Sequence, residues 1–299
     1  MRSLQMQREG IVNAPILPVY AERYILQIRT DELLYGTTVK IIDAKERDRY
    51  WIETDYHYTG LVSSNRITET EPGVRRWNEG KKLIVRGRVC DVMSQPTVKS
   101  KILLTLYRGC LLLDQGDAAE PGWHCVRLTD GTDAYVRREL VSGYIVPDGG
   151  AGKCKDYTDE CAKRCKEKQG AKTEAELRNA LVDTAYSYLG TPYRWGGKST
   201  LGIDCSGFTF MVYALNGIYI HRDSAWLPQS PVRKIADCEK RPGDLLYFPG
   251  HIALYLGNGE YIHSTAKDGA GVTINSLKKG CEGYRSDLER SFLYAGTVF

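Results

Sequence analysis

In its first half the chain sets apolar residues in short β-rich runs separated by polar turns, the signature of strands joined in hairpins. "LLYGTTVKII" runs into "RYWIETDYHYTGLVSSNRI", and later "TLYRGCLLLD" runs into "GWHCVRLTDGTDAYVRREL". Gly36 and Gly109, Trp51 and Trp123, and Val62 and Val136 correspond at offsets of 73, 72 and 74 residues. One unit of about 70 residues therefore occurs twice. In each copy the Trp lies on a strand just before a hairpin, and an "x-V" strand closes the unit. That arrangement fits a small antiparallel barrel, so two barrel domains are expected, over residues 1–72 and 73–147.

The pattern then changes. "VPDGGAGKCKDYTDECAKRCKEKQGAKTE" is rich in Gly, Lys and Glu and reads as a linker with a short polar helix over 148–173. Helical spacing follows in "TEAELRNALVDTAYSYLG". Thr173 stands at the N-cap, Glu176 three residues on completes a capping box, and Leu177, Leu181, Ala185 and Tyr188 share one face. Gly190 falls at the C′ position. "CSGFTFMVYALNG" predicts a second helix ended by Gly217, and from Asp244 the runs "DLLYF", "HIALYLG", "EYIHST" and "VTINSL" read as strands. Helices first and strands afterwards predict an α+β domain over 174–299, with helices on one side of an antiparallel sheet.

Composition adds limits rather than detail. At 299 residues the prior is two or three domains, and 42% hydrophobic with 26% charged residues is ordinary for a soluble globular protein. Twenty Tyr against five Phe suits strands and polar grooves. The net charge of +4 is spread without a dense basic block, so no nucleic-acid partner is expected. The opening "MRSLQMQREGIVNAPILPVY" has no apolar core of signal-peptide length, and no later run approaches a membrane span. The chain thus reads as cytoplasmic with no membrane partner, or as secreted if a signal has been removed, and a monomer is expected. Nine cysteines without regular pairing agree with a reducing compartment. Cys154, Cys161 and Cys165, spaced by seven and four, lack a C-x-x-C pair or a suitably placed His. They read as reduced thiols on a polar helix rather than as a zinc site.

The candidate chemistry lies in the last domain. A thiol reacts as thiolate and needs help to ionise, and a helix N-terminus supplies it. Cys205 stands where the "CSGFTF" helix begins, with Gly207 allowing close approach of a backbone or a substrate. His251 opens the strand "HIALYLGNG", placing its ring at the sheet rim. His263 lies on the next antiparallel strand, across a hairpin signalled by "GNG" and offset by about three residues. His263 can then orient the ring of His251. The alternatives are a buried structural Cys, satisfied histidines and a three-ligand metal site, and the nucleophile setting of Cys205 weighs against all three. No metal and no cofactor is expected. His57, His124 and His221 are given no such role.

Read together, "TPYRWGGKSTLGIDCSGFTFMVYALNG" and "RPGDLLYFPGHIALYLGNGEYIHST" resemble the NlpC/P60 papain-like cysteine peptidases, over about residues 180–299. The two preceding units resemble bacterial SH3-like (SH3b) domains. The resemblance implies Cys205 as nucleophile, His251 as general base, His263 as the orienting third residue, and Tyr193 as an oxyanion donor beside the Cys205 N–H. The whole chain resembles γ-D-glutamyl-L-diamino acid endopeptidases, whose substrate is a murein peptide with a free N-terminal L-Ala. By that resemblance Asp204 and Tyr58 meet the alanine ammonium, Trp195 walls the pocket, and Ser206, Asp223 and Ser224 hold the D-Glu side. A family glutamate of the first SH3b unit has no clear match in "YILQIRTDELLYG", with Glu32 nearby. The bland reading of Asp204 is a helix N-cap. The function implied is cleavage of the γ-D-Glu–L-diamino acid bond in short recycled murein peptides. The alternatives are a hydrolase of intact wall and a non-catalytic peptidoglycan-binding protein.

Overall fold

The computed structural model describes residues 8–21, 28–46, 48–147, 173–267 and 271–299. The expected linker over 148–173, with Cys154, Cys161 and Cys165, lies outside the described residues except for Thr173. Two compact units divide the chain, Met1–Tyr144 and Ile145–Phe299.

The N-terminal unit begins with β1 (Arg8–Val12), β2 (Ile16–Tyr20), β3 (Arg29–Leu34), β4 (Thr38–Glu46), β5 (Arg49–Thr54), β6 (Thr59–Ser63) and β7 (Ile67–Thr68). They form one sheet in the order β3-β2-β6-β5-β4-β1-β7. Helix α1 (Glu71–Glu79) follows. Then come β8 (Lys82–Val85), β9 (Val89–Met93), β10 (Ile102–Tyr107), β11 (Leu111–Asp117), β12 (Trp123–Arg127), β13 (Asp133–Arg137) and β14 (Val141–Gly143). Their order, β10-β9-β13-β12-β11-β8-β14, repeats the first with every strand seven places later. The sequence repeat is thus a repeat of topology. Trp51 and Trp123 sit on the equivalent strands β5 and β12, and Val62 and Val136 on β6 and β13.

One expectation is corrected here. Among the described residues neither sheet closes into a barrel: β3 and β7 remain the edges of the first, and β10 and β14 those of the second. Closure needs a ladder between the two edges, whereas among the described residues β7 pairs with β1 and β14 with β8, and neither pairs with the opposite edge. The expected division at residue 72 falls inside α1. That helix packs on the first sheet through Trp77, 1% exposed, whose Nε1 donates to the Gly36 carbonyl at 3.0 Å. The Leu111 N–H donates to the Tyr35 carbonyl at 2.8 Å. Gly36 has φ +82°, and a Cβ there would lie 2.7 Å from the Leu111 oxygen, so only glycine fits between the sheets.

The C-terminal unit contains α2 (Glu174–Tyr186), β15 (Lys198–Ser199), β16 (Gly202–Ile203), α3 (Cys205–Ala214), β17 (Arg233–Ile235), β18 (Leu245–Phe248), β19 (His251–Gly257), β20 (Glu260–Thr265), β21 (Gly271–Ser276), α4 (Ser286–Ser291) and β22 (Tyr294–Thr297). The expected α+β architecture is present: an antiparallel sheet, β17-β22-β18-β19-β20-β21, packs against α3, which also meets α2. The capping box predicted for α2 forms, with the Glu176 N–H donating to Thr173 Oγ1 at 3.2 Å and the Thr173 N–H to Glu176 Oε2 at 2.7 Å. From Cys205 to Tyr213 every residue of α3 is buried. A helix apolar all round can be stable only in such a setting. It ends where Gly217 turns at φ +84°.

Candidate active site

Cys205 is the first residue of α3, and Asp204 is its N-cap. The helix starts here because Asp204 Oδ1 accepts the Gly207 N–H at 2.6 Å, satisfying one of the free donors of the first turn. Its other oxygen accepts the Gly196 N–H at 2.8 Å. Arg222, 2% exposed, closes over this cap. Its Nη1 donates to Ser206 Oγ at 2.9 Å and to Asp204 Oδ1 at 3.3 Å, while Nη2 reaches Asp204 Oδ2 at 3.5 Å. The close approach expected at Gly207 is made by the Gly197 backbone, whose oxygen would lie 2.2 Å from an added Cβ.

Burial pushes the Cys205 thiol up to about 11, and the Asp204 charge adds to the rise. The backbone N–H groups of Ile252 and Ser206 and the Arg222 charge pull the other way without reversing it. At neutral pH the side chain is therefore a thiol. Its contact with the Ile252 N–H sets the sulfur against the start of β19, where His251 stands.

The register of β19 on β20 pairs Leu254 with Ile262. Continued to the strand end, it sets His251 opposite Thr265, so His263 is offset by two residues. An even offset keeps both side chains on one face, where three would have separated them. A register shift between Tyr255 and Gly257 accounts for the difference from the expected three. His251 Nε2 lies 2.7 Å from His263 Nδ1, and His263 Nε2 lies 2.8 Å from Asn275 Oδ1 on β21. Asn275 escaped the sequence reading. The signal was the interval of twelve residues between the histidines, which recurs from His263 to Asn275. Ser264 Oγ also donates to the Ile203 carbonyl at 2.6 Å, tying β20 to the strand that leads into Cys205.

Burial lowers His251 to about 3, with His263 and Arg285 adding to the effect and Asp287 opposing it. Burial also lowers His263 to about 4, against its hydrogen bond to Asn275, which favours the charged form. Both rings are neutral at pH 7, which suits a proton acceptor beside a thiol. Tyr193 is held where the Arg194 N–H donates to the Ile203 carbonyl and the Ile203 N–H to the Pro192 carbonyl. Burial first, then Cys205 and Asp204, push its hydroxyl up to about 12, so it stays a donor. Among the described residues no group of three or more His, Cys, Asp or Glu could hold a metal ion.

A protein of Lysinibacillus sphaericus named dipeptidyl-peptidase 6 is 35% identical over 97% of this chain and 99% of its own length. The NlpC/P60 family profile matches residues 190–287. The chain belongs to the NlpC/P60 family. A second relative, from Bacillus cereus and named gamma-D-glutamyl-L-lysine dipeptidyl-peptidase, is 43% identical over 78% of this chain and 66% of its own length. A solved NlpC/P60 family protein from Bacillus cereus ATCC 10987 shares the fold, with TM-score 0.72 and 20% identity, covering 96% of this chain and 98% of that one. By this membership the chain is a peptidase.

Within the NlpC/P60 unit, Cys205, Asp204, Ser206 and Tyr193 gather at the start of α3, with His251 and His263 on the facing strands. Trp195 is 64% exposed and precedes the Gly196 N–H that binds Asp204. Asp223 is exposed and Ser224 half-buried, directly after Arg222 in the chain. Arg222 itself was missed, because a lone Arg in "HRDSAW" carries no periodic signal. Tyr58 belongs to the N-terminal unit, where its hydroxyl donates to the Thr30 carbonyl at 3.4 Å.

Proposed function

We propose that this protein is a cysteine peptidase that cleaves the γ-D-Glu–L-diamino acid bond of short murein peptides carrying a free N-terminal L-Ala. The observation that carries the reading is the thiol of Cys205 at a helix start, facing a strand pair on which His251 and His263 are already hydrogen-bonded at 2.7 Å. The name of the Bacillus cereus relative supports the choice of bond.

In the reaction the Cys205 sulfur attacks the γ-carbonyl carbon while His251 takes the thiol proton. The oxyanion is met by the Cys205 N–H and the Tyr193 hydroxyl. His251 returns the proton to the leaving α-amine, the C–N bond breaks, and a thioester to the L-Ala-γ-D-Glu fragment remains. Water, deprotonated by the same His251, then releases that dipeptide and restores the thiol. Ser206, Asp223 and Ser224 are assigned to the D-Glu carboxylate side, and Trp195 to the wall beside the alanine. The Asp204 carboxylate is assigned to the alanine ammonium. That ammonium would join a carboxylate already holding Gly196, Gly207, Ser206 and Arg222. A cytoplasmic role in peptide recycling, as a monomer, completes the proposal.

The test offers L-Ala-γ-D-Glu-L-Lys, its diaminopimelate analogue, and the N-acetylated form of each. Release of L-Ala-γ-D-Glu from the free peptides alone is expected. Equal cleavage of the acetylated forms would overturn the requirement for a free amine, and no cleavage of any would overturn the substrate assignment.

A further inference from the structure

His251, His263 and Asn275 step diagonally across three neighbouring strands. His263 pairs directly with Thr273, and Asn275 pairs with Tyr261, so Asn275 stands two residues from straight across, as His263 does from His251. All three share one face. What fixes the chain of contacts is its far end. Asn275 Nδ2 donates to the Gly283 carbonyl at 3.0 Å, and that same carbonyl accepts the Ser276 N–H at 3.0 Å. A carbonyl can only accept, so the amide nitrogen of Asn275 must face Gly283 and its oxygen must face His263.

The rest follows by elimination of protons. An amide oxygen cannot donate, so His263 Nε2 carries the hydrogen. A neutral imidazole has one N–H, so His263 Nδ1 carries the lone pair. His251 Nε2 lies 2.7 Å from that lone pair and must donate to it. The lone pair of His251 is thereby left on Nδ1.

We propose that Asn275 is a positioning residue that, anchored by the Gly283 carbonyl, sets the tautomer of both histidines and so makes Nδ1 the basic nitrogen of His251. The assignment rests on His251 being the base of the proposed reaction. It has a mechanistic consequence. When His251 Nδ1 takes the Cys205 proton, the Nε2–H still donates to His263 and no hydrogen bond in the chain reverses. The transition-state charge is then met by dipoles already in place. Of the charged and titratable groups facing the pair, Arg285 and Asp287 at the start of α4 act on both rings, Tyr261 on β20 packs edge-on against His263, and the Cys205 thiol lies on the His251 side. Asn275 is the neighbour that bonds the His263 ring at its outer nitrogen.

The experiment records long-range nitrogen–proton correlations on histidine-labelled Cys205→Ala protein at pH 7, with His251→Gln and His263→Gln variants assigning the signals. Nε2–H tautomers are expected for both rings, and an Nδ1–H on either overturns the proposal. Asn275→Leu removes the acceptor, so both rings should show mixed tautomers. In the wild-type background the same change should lower kcat/KM by about 10- to 100-fold, as for other partners that orient a working histidine, with KM little altered. Asn275→Asp keeps an acceptor but loses the donation to Gly283. It should restore the Nε2–H tautomer and move the acidic limb of kcat/KM to higher pH, since a carboxylate favours the imidazolium. An Asp variant as impaired as Leu, with an unmoved acidic limb, would mean that Asn275 only tethers the loop, and overturns the proposal. Because tautomers are read without turnover, expected tautomers in a protein that cleaves no murein peptide would overturn the substrate reading and leave the relay standing.

Discussion

Replacing Asp204 by Asn keeps the shape of the side chain and removes the charge that faces Arg222. The guanidinium is 1% exposed and the carboxylate 9%, so neither is screened by solvent. Asn is as good a helix N-cap as Asp, which leaves the capping contribution nearly intact. The cost is then an uncompensated buried cation, about 3–5 kcal/mol when one partner of a buried pair is removed, together with the lost acceptor for the Gly196 N–H, which the Asn amide nitrogen would face. The Asp204→Asn, Arg222→Met double variant should recover much of that loss, because no buried charge is left unpaired. Hydrogen exchange of the α3 amides reads this unit by itself, which a global melt of a two-unit chain does not. The same substitution removes the charge that raises the Cys205 thiol, so alkylation of Cys205 should quicken at a given pH even as stability falls. Wild-type exchange and wild-type alkylation in Asp204→Asn would refute the reasoning.

Other consequences are equally direct. Alkylation of wild-type Cys205 by iodoacetamide should keep rising towards pH 11, where burial sets its ionisation, and a plateau in acid would contradict a resting thiol. Both histidines bind protons less tightly folded than unfolded, so the unfolded chain takes them up first as pH falls below about 6.5. The C-terminal unit should therefore lose about 1.4 kcal/mol per pH unit per histidine between about pH 6.5 and 4, and less in His263→Gln. Trp77→Ala should cost the N-terminal unit about 3–5 kcal/mol in urea unfolding, since it empties the contact with Gly36 as well as a core site. Gly207→Ala drives a methyl group into the Gly197 carbonyl, and peptidase activity should fall with the start of α3 displaced, as peptide-level hydrogen exchange would report.

Much of this was legible in the sequence because the signals were local. The capping box at Thr173, the strand runs after Asp244 and the turn at Gly259 each need only a few neighbouring residues to specify them. The repeat at about 70 residues was legible because both copies kept their Gly, Trp and Val positions. Closure of the sheets was not, since it depends on edge pairing between residues far apart in the chain. Short elements such as β17 and the β15–β16 hairpin carry too few residues to show a period. The site divided in the same way. Cys205, His251 and His263 announced themselves by reactivity and by position on elements, whereas Arg222 and Asn275 act through contacts 16 to 18 and 12 residues away respectively. Register decided the rest: a bulge at Tyr255–Gly257 turned an expected offset of three into two and brought the histidines onto one face.

The central claim, a thioester on Cys205, is tested most directly by rapid quench of the wild-type protein with L-Ala-γ-D-Glu-L-Lys, followed by peptide mapping in acid. The account predicts an L-Ala-γ-D-Glu acyl group on the peptide containing Cys205, formed at the rate of the first turnover and absent from Cys205→Ala, which should release no L-Lys. Turnover that persists in Cys205→Ala, or an acyl group mapped to another residue, would contradict it.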